Sequence, residues 1–156
     1  MSREPHVPAV AGVDPESVSA FVRQQWPDAP FAVCHEISGR HVLTSMPISP
    51  ANLRPGGIIS GPMQFTAADL TLWYACFGAI DFEAMAVTSE MSIRFLRPAF
   101  GDVLWSRAEL VSVGSRSIVG SVIIWTDDEA KPTSVAQGTY SRPAASPPAV
   151  SPSAGS

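Results

Sequence analysis

The segment 63–77 constrains the fold more than any other part of this chain. It has the composition of a helix, and apolar residues occupy nearly every side of that helix instead of a single stripe. A helix of this kind must be buried all round, so the rest of the chain has to surround it. Gly78 follows the apolar run and is predicted to end the helix as its C′ residue.

Four strand patterns follow this helix, at residues 86–96, 103–113, 116–125 and 132–141. Their side chains alternate with a period of two, which is typical of antiparallel strands with one solvated face. In the first pattern, the alternation predicts one face with Val87, Met91, Ile93 and Phe95, and a second face with Thr88, Glu90, Ser92 and Arg94.

A shorter set of elements precedes the apolar helix. Pro15, with Asp14 as the N-cap, is predicted to begin an amphipathic helix. The segments 31–37 and 40–46 flank a two-residue turn and are predicted to form a β-hairpin. The segment 49–62 is crowded with proline and glycine and is predicted to be a loop.

Together these elements predict an α+β fold in which an antiparallel β-sheet wraps around a long central helix. A curved sheet of this size has open edges that a symmetric partner can extend, so we expect a homodimer. The domain is expected to span residues 14–142. Flexible tails are expected at 1–13 and, rich in proline, alanine and serine, at 143–156.

Composition excludes several classes of partner. Hydrophobic residues make up 46% of the chain and charged residues 15%, which indicates one globular core. The net charge is −4, and nine arginines and one lysine are spread without a basic stripe, so nucleic acid is not expected. The sequence has no membrane-span or leader pattern, which makes the cytoplasm the default expectation. Cys34 and Cys76 lack metal-ligand spacing and are expected to be buried thiols, and we expect no metal.

Asp69 is the one carboxyl or basic group between Arg54 and Asp81, and it lies inside the most apolar helix. A buried, unpaired carboxylate costs on the order of several kcal/mol, so its presence needs a reason. One reason is a functional role. The other is structural: the carboxylate accepts hydrogen bonds from a strand or from a hydroxyl such as that of Thr66, or this helix face meets water.

Gly61 lies where this helix is expected to begin, and its N–H would be free to point at a ligand oxygen. Ordinary loop chemistry explains this glycine as well. Asp69 follows eight residues later, which is roughly 12 Å along one helix. A carboxylate and an oxyanion donor that act on the same carbon must therefore come from two antiparallel helices, which two-fold symmetry supplies.

Two motifs carry a resemblance to a known family. The run Ser-Gly-Pro at 60–62, with Phe65 and the Ala-Asp pair at 68–69, is similar to a central helix that opens with His-Gly-Gly, Phe and Ala-Asp. The stretch 87–99 resembles a strand that leads to a Phe-Leu-Arg-Pro-Ala turn. Both are features of the hot-dog-fold thioesterases of the phenylacetic-acid-degradation type and their 4-hydroxybenzoyl-CoA relatives.

The resemblance implies an acyl-CoA thioesterase that acts as a homodimer or homotetramer. The Gly61 N–H of one subunit would polarise the thioester carbonyl, and Asp69 of the other would activate water or attack directly. The chain departs from the family pattern at Ser60, which replaces histidine, and at Pro62, which replaces glycine. Carbonyl binding is therefore left to fewer groups. Ser60 is either a helper through hydrogen bonding or a simple loop serine.

The resemblance also implies a substrate site along the central helix and the strand that faces it. Coenzyme A would enter as part of the substrate, without any further cofactor, and its phosphates would meet arginines near strand turns. An arginine beside a turn is otherwise a solvated residue, and polar helix residues otherwise face solvent or cap the helix. The candidate substrate-binding residues are Gln64, Phe65, Thr66, Trp73, Ser89, Arg97 and Arg116.

Two other functions fit parts of the pattern. A hot-dog dimer that binds acyl-CoA or another lipid-like ligand without turnover would explain the missing motif histidine. A hot-dog hydratase or dehydratase would need an aspartate and a histidine in the same region, and no histidine follows His41. His35 and His41 lie in predicted strands and are expected to be surface or packing residues.

Overall fold

The computed structural model describes residues 6–144, which contain two α-helices, α1 (Pro15–Gln25) and α2 (Gly61–Ile80). A 3-10 turn at Pro50–Asn52 precedes α2. No helix in this part of the chain combines the length and the apolar character needed to cross a membrane. The strands are β1 (Val33–Ile37), β2 (His41–Pro47), β3 (Leu53–Arg54), β4 (Ile58–Ile59), β5 (Val87–Phe95), β6 (Val103–Val113), β7 (Ser117–Trp125) and β8 (Ser134–Ser141).

Six strands form one antiparallel sheet in the order β1-β2-β6-β7-β8-β5, and β3 pairs with β4 in a small separate hairpin. Helix α2 contacts all six strands of the large sheet. The predicted architecture, an antiparallel sheet around a long central helix, is confirmed. The predicted first helix, first hairpin and four later strands also form, with bounds that shift by at most two residues.

Leu72 fixes α2 against the middle of the sheet. Gly120 on β7 and Gly138 on β8 are register partners, and a Cβ atom added to either would overlap the Leu72 side chain. The two glycines therefore form a notch that receives a fully buried leucine. Such contact leaves no room for a larger residue in either strand, because protein interiors are close-packed.

The C-terminal end of α2 differs from the prediction. Gly78 does not stop the helix, which continues to Ile80 and is capped by Asp81 with a φ angle of 74°. A Cβ atom at Gly78 would overlap the carbonyl oxygen of Ser38, so this glycine permits the turn between β1 and β2 to approach the helix. The prediction of a stop at Gly78 was wrong because glycine marks close backbone approach as well as helix ends.

The segment predicted as a loop, 49–62, contains regular structure. It holds the 3-10 turn and the β3–β4 hairpin, whose turn includes Gly56 and Gly57 at φ angles of 90° and 73°. The Ser60 N–H donates to the Asn52 carbonyl at 2.9 Å, which ties the 3-10 turn to the start of α2. The hairpin was not predicted because each of its strands has only two residues.

The described part of the predicted N-terminal tail makes backbone hydrogen bonds to the rest of the domain. The Val10 N–H donates to the Gly78 carbonyl at 3.0 Å, and the Gly39 N–H donates to the Val7 carbonyl at 2.8 Å. These bonds depend on partners that are distant in sequence, so composition alone does not reveal them. The other residues of the two predicted tails lie mostly outside the described residues, at 1–5 and 145–156.

Strand β5 is an open edge of the sheet, since it pairs with β8 and with no other strand in residues 6–144. Most of its side chains are exposed. Large apolar side chains lie uncovered in or beside this strand, namely Met85, Val87, Phe95, Leu96 and Phe100. An edge of this composition is suited to pairing with another chain.

Candidate active site

The Asp69 carboxylate is held by two hydroxyl groups. Thr88 Oγ1 donates to Asp69 Oδ1 at 2.7 Å, and Tyr140 Oη donates to the same oxygen at 2.6 Å. The other oxygen, Oδ2, has no hydrogen-bond partner among residues 6–144. Asp69 itself is half-buried. The carboxylate therefore has one oxygen that is anchored and one that is available.

A β-bulge brings the two hydroxyl donors together. Thr88 on β5 and Tyr140 on β8 are register partners, and the register shifts between Thr88 and Glu90 because Ser89 is an extra residue. The bulge reverses the alternation at this end of β5. Thr88 therefore shares the helix-facing side with Met91, and the predicted faces were wrong at Thr88 and Val87.

The Tyr140 hydroxyl is suited to remain protonated and so to keep donating a hydrogen bond to Asp69. Its side chain is buried, with an exposed fraction of 4%. Burial first, and then the negative charge of Asp69, raise the pKa of Tyr140 above its usual value. The phenol therefore stays protonated at neutral pH, which is the form that can donate to the carboxylate.

A cavity of about 510 Å³ opens beside Asp69. Among its lining residues, Asp69 is the one charged side chain, and the remaining polar groups include Thr88 and Tyr140. The indole nitrogen of Trp73 is buried without a hydrogen-bond partner in residues 6–144. The cavity thus presents a carboxylate against a largely apolar wall, whose members are Trp26, Leu70, Trp73, Ala84, Met85, Ala86 and Val87.

The other polar feature of α2 is its N-terminus. Ser60 is the N-cap, and its hydroxyl accepts a hydrogen bond from the Met63 N–H at 3.3 Å. The Gly61 N–H has no partner within residues 6–144. Gly61 lines a second cavity of about 520 Å³, together with Arg54, Phe95 and Arg97. A free N–H at a helix start is an anion-binding group, and the two arginines give this cleft a positive charge.

Three predicted substrate-binding residues follow Gly61 on α2, and one of them, Gln64, lines the Gly61 cavity. Gln64 is buried, and its side-chain oxygen accepts hydrogen bonds from Ser134 at 2.9 Å and Thr133 at 3.1 Å. The Thr66 hydroxyl donates to the Pro62 carbonyl at 3.0 Å, within the same helix. Phe65 is partly exposed and does not line the cavity beside Asp69. Gln64 and Thr66 therefore already have hydrogen-bond partners within the chain.

The remaining candidates are spread over the surface. Ser89 is the bulge residue of β5, and its hydroxyl donates to the Thr139 carbonyl at 3.1 Å. Arg116 is exposed in the turn between β6 and β7, away from the Gly61 cleft. His35 lies on the exposed side of β1, where its ring contacts Ser45 at 2.7 Å. Within one chain, the structure brings none of these residues to Asp69.

One chain also does not bring Gly61 to Asp69. The two residues line separate cavities along a continuous helix, as the spacing of eight residues predicts. Sequence reasoning missed the roles of Thr88 and Tyr140 as partners of Asp69, and of Arg54 as a neighbour of Gly61. Tyr140 is separated from Asp69 by 71 positions, so its contact with Asp69 could be predicted only from the strand register.

The chain belongs to the thioesterase superfamily, whose sequence profile matches residues 56–133 and so includes Gly61 and Asp69. A protein from Silicibacter sp. TM1040, provisionally named a thioesterase, is 26% identical, with a TM-score of 0.78 over 89% of this chain and 96% of that one. The fold is therefore the hot-dog thioesterase fold, which confirms the predicted family resemblance.

Two more distant structures share the fold. The PaaI protein from the phenylacetic acid degradation operon of E. coli is 19% identical, with a TM-score of 0.67 over 82% of this chain and 94% of that one. The protein smu.793 from Streptococcus mutans, solved with acetyl CoA bound, is 21% identical, with a TM-score of 0.64 over 72% and 89% of the two chains. No curated protein matches the sequence.

Proposed function

We propose that the protein is an acyl-CoA thioesterase whose active site is shared between two subunits. The observation that carries this proposal is the Asp69 carboxylate, which is anchored at Oδ1, has no partner at Oδ2 within residues 6–144, and lies beside a largely apolar cavity. A free carboxylate oxygen is the group that general-base catalysis needs. The apolar wall suits the acyl part of a thioester better than a charged metabolite.

In the proposed reaction, Asp69 Oδ2 takes a proton from water as the water oxygen bonds to the thioester carbon. The oxyanion that forms accepts a hydrogen bond from the Gly61 N–H of the other subunit. The carbon–sulfur bond then breaks, and the thiolate of coenzyme A takes the proton back from Asp69. Direct attack by Asp69, through a mixed anhydride that water hydrolyses, uses the same two residues.

The open edge at β5 supports the two-subunit arrangement. Two copies that pair through β5 in antiparallel fashion would extend the sheet and cover the apolar side chains along this edge. The same two-fold axis would set the two α2 helices antiparallel, with Gly61 of each near Asp69 of the other. A homodimer is the smallest assembly that completes the site, and a homotetramer would contain two such pairs.

Coenzyme A binding is assigned to the Gly61 cleft. Arg54 and Arg97 line it, and no carboxylate is among its lining residues in the described part of the chain. Arginines bind phosphate groups through paired N–H donors. The acetyl CoA bound to the Streptococcus mutans relative supports a coenzyme A thioester as the ligand class for this fold. In this proposal, the thioester lies at the Gly61 N–H and the phosphates of coenzyme A extend from it toward the two arginines.

The direct test is a thiol-release assay with aryl, short-chain, medium-chain and long-chain acyl-CoA substrates. We expect turnover by the natural protein, and a loss of roughly 10²- to 10⁴-fold in kcat for Asp69→Asn, because the amide cannot accept a proton. The matched control is Asp81→Asn at the other end of α2, where asparagine tolerates the positive φ angle. Burial raises the pKa of Cys34 and of Cys76 to about 12, so the protein's own thiols should not react in the assay.

A second candidate function is acyl-CoA binding without turnover. Two observations favour it. Ser60 replaces the motif histidine. The Phe95 ring also lies close to Gly61, since a Cβ atom added at Gly61 would be 3.1 Å from Phe95 Cζ. Ligand binding by calorimetry, with no thiol release from any substrate, would support this function and contradict the thioesterase. Turnover that depends on Asp69 would exclude it.

A further inference from the structure

Tyr140 is a polar group that the proposed reaction does not use. Its buried hydroxyl lies 2.6 Å from Asp69 Oδ1 and 3.0 Å from the Asp69 backbone carbonyl oxygen. A phenol has one proton and donates it to one acceptor at a time, and the charged and nearer oxygen is the stronger acceptor. Both acceptors of the Tyr140 hydroxyl proton within residues 6–144 therefore belong to Asp69.

The second buried tyrosine of the chain provides a useful comparison. Tyr74 lies on α2, is fully buried, and donates its hydroxyl proton to the Ala32 carbonyl at 3.2 Å. That bond joins the helix to the segment before β1 and does not involve the candidate site. Tyr140 and Tyr74 thus make the same kind of buried hydrogen bond, one to the carboxylate and one to the backbone.

The geometry at Asp69 distinguishes its two oxygens. Oδ1 accepts hydrogen bonds from both Tyr140 and Thr88, and two bonds from different strands restrict the rotation of the carboxylate. Oδ2 is left as the proton acceptor. Without Tyr140, the Thr88 hydroxyl alone would hold the group, and a single bond permits the carboxylate to rotate about its axis.

We propose that Tyr140 is a positioning residue, which holds Asp69 at Oδ1 so that Oδ2 takes the proton from the attacking water. This inference rests on the proposed thioesterase function. In this role, Tyr140 acts on the reaction through Asp69 and does not contact the substrate. Thr88 shares the same task from the neighbouring strand, where the bulge at Ser89 brings it into register.

The test compares Tyr140→Phe with Tyr74→Phe, each of which removes one buried hydroxyl and keeps the aromatic ring. We expect Tyr140→Phe to lower kcat by roughly ten- to a hundredfold, because a hydrogen bond to a charged group is lost, while KM stays within about twofold. Tyr74→Phe should leave kcat close to that of the natural protein. Equal losses of kcat in the two variants, in proportion to their losses of thermal stability, would overturn the inference.

Two further measurements separate this inference from the proposed function. In an Asp69→Asn background, Tyr140→Phe should cause no additional loss of kcat, since its effect passes through the carboxylate. The ¹³C resonance of the Asp69 carboxyl, assigned with Asp69→Asn, should shift in Tyr140→Phe and stay in place in Tyr74→Phe. The resonance reports the hydrogen bond even if the natural protein has no turnover, and an unchanged resonance in Tyr140→Phe would refute the positioning role.

Discussion

The two cavities along α2 differ in the chemistry that they carry. The cleft at Gly61 has a free backbone N–H and two arginines, and its lining within residues 6–144 includes no carboxylate. The cavity at Asp69 has a carboxylate, and its lining within the same residues includes no arginine or lysine. One cavity can stabilise negative charge on an oxygen, and the other can accept a proton. Hydrolysis of a thioester needs both functions at one carbon.

This difference shows why the packing of α2 matters for function. Leu72 of α2 packs into the notch at Gly120 and Gly138, whereas Gly61 and Asp69 are only half-buried. Gly61 and Asp69 lie eight residues apart on one continuous helix, so a single chain does not bring them together. In the proposed dimer, the α2 helix of a second subunit combines them, and the exposed β5 edge is the proposed pairing surface.

The largest effect expected from the Gly61 side comes from removing its N–H. Gly61→Pro deletes this donor at the first position of α2, where proline is tolerated, and Ser60 already has the extended backbone that precedes a proline, with φ −64° and ψ 151°. We expect kcat to fall by roughly 10²- to 10³-fold, as is typical when one oxyanion donor is lost. Steady-state kinetics with the best substrate of the panel measures this effect.

The matched control is Gly61→Ala, which adds a Cβ atom next to Phe95 but keeps the N–H. The Phe95 ring is half exposed, so it can move aside. If Gly61→Ala loses as much activity as Gly61→Pro, then crowding by the side chain, and not the missing donor, explains the loss. The chemical distinction between the two cavities would then fail.

A smaller effect is expected from the arginines of the Gly61 cleft. Arg54→Gln and Arg97→Gln should each raise KM by roughly two- to fivefold with kcat unchanged, because exposed charge contacts contribute little individually. The increase should shrink at high salt, where such contacts are screened. Kinetics at low and high ionic strength measures both changes.

Arg116→Gln sharpens this comparison. Arg116 lies outside the Gly61 cleft of its own chain, so a KM increase equal to that of Arg97→Gln would indicate that the partner subunit brings Arg116 to the coenzyme A phosphates. A KM that is insensitive to all three substitutions would mean that the phosphates bind elsewhere on the protein.

Much of the fold was predictable because its signals are local. The apolar surface of 63–77 predicted a surrounded helix, and the alternating strands predicted the sheet. The predictions were wrong where a residue has a partner distant in sequence. Gly78 permits the close approach of Ser38, and the side chains of β5 change faces at the Ser89 bulge. Neither the close contact nor the register shift can be recognised from the residues on either side of it in the sequence.

The candidate site was predictable only in part, for the same reason. Asp69 was conspicuous as a single charge in an apolar helix, and Gly61 as a free donor at a helix start. Tyr140 was not, because its role depends on the pairing of β5 with β8 and on the packing of both strands against α2. Arg54 was hidden in a segment that was predicted to be a loop.

Gly61 and Asp69 of different subunits are proposed to form one site, and subunit complementation tests this arrangement most directly. Asp69→Asn and Gly61→Pro chains, each with a different affinity tag, are co-expressed, and the doubly tagged dimer is isolated. In a two-fold dimer, one of the two sites in this mixed species then contains both the natural Gly61 and the natural Asp69.

We expect the isolated mixed dimer to recover about half of the natural activity per dimer, while each variant alone stays nearly inactive. Size-exclusion chromatography confirms that all three species have the same assembly state. A mixed dimer that is as inactive as its two parents would contradict the shared site, because it would mean that Gly61 and Asp69 must be intact in the same chain.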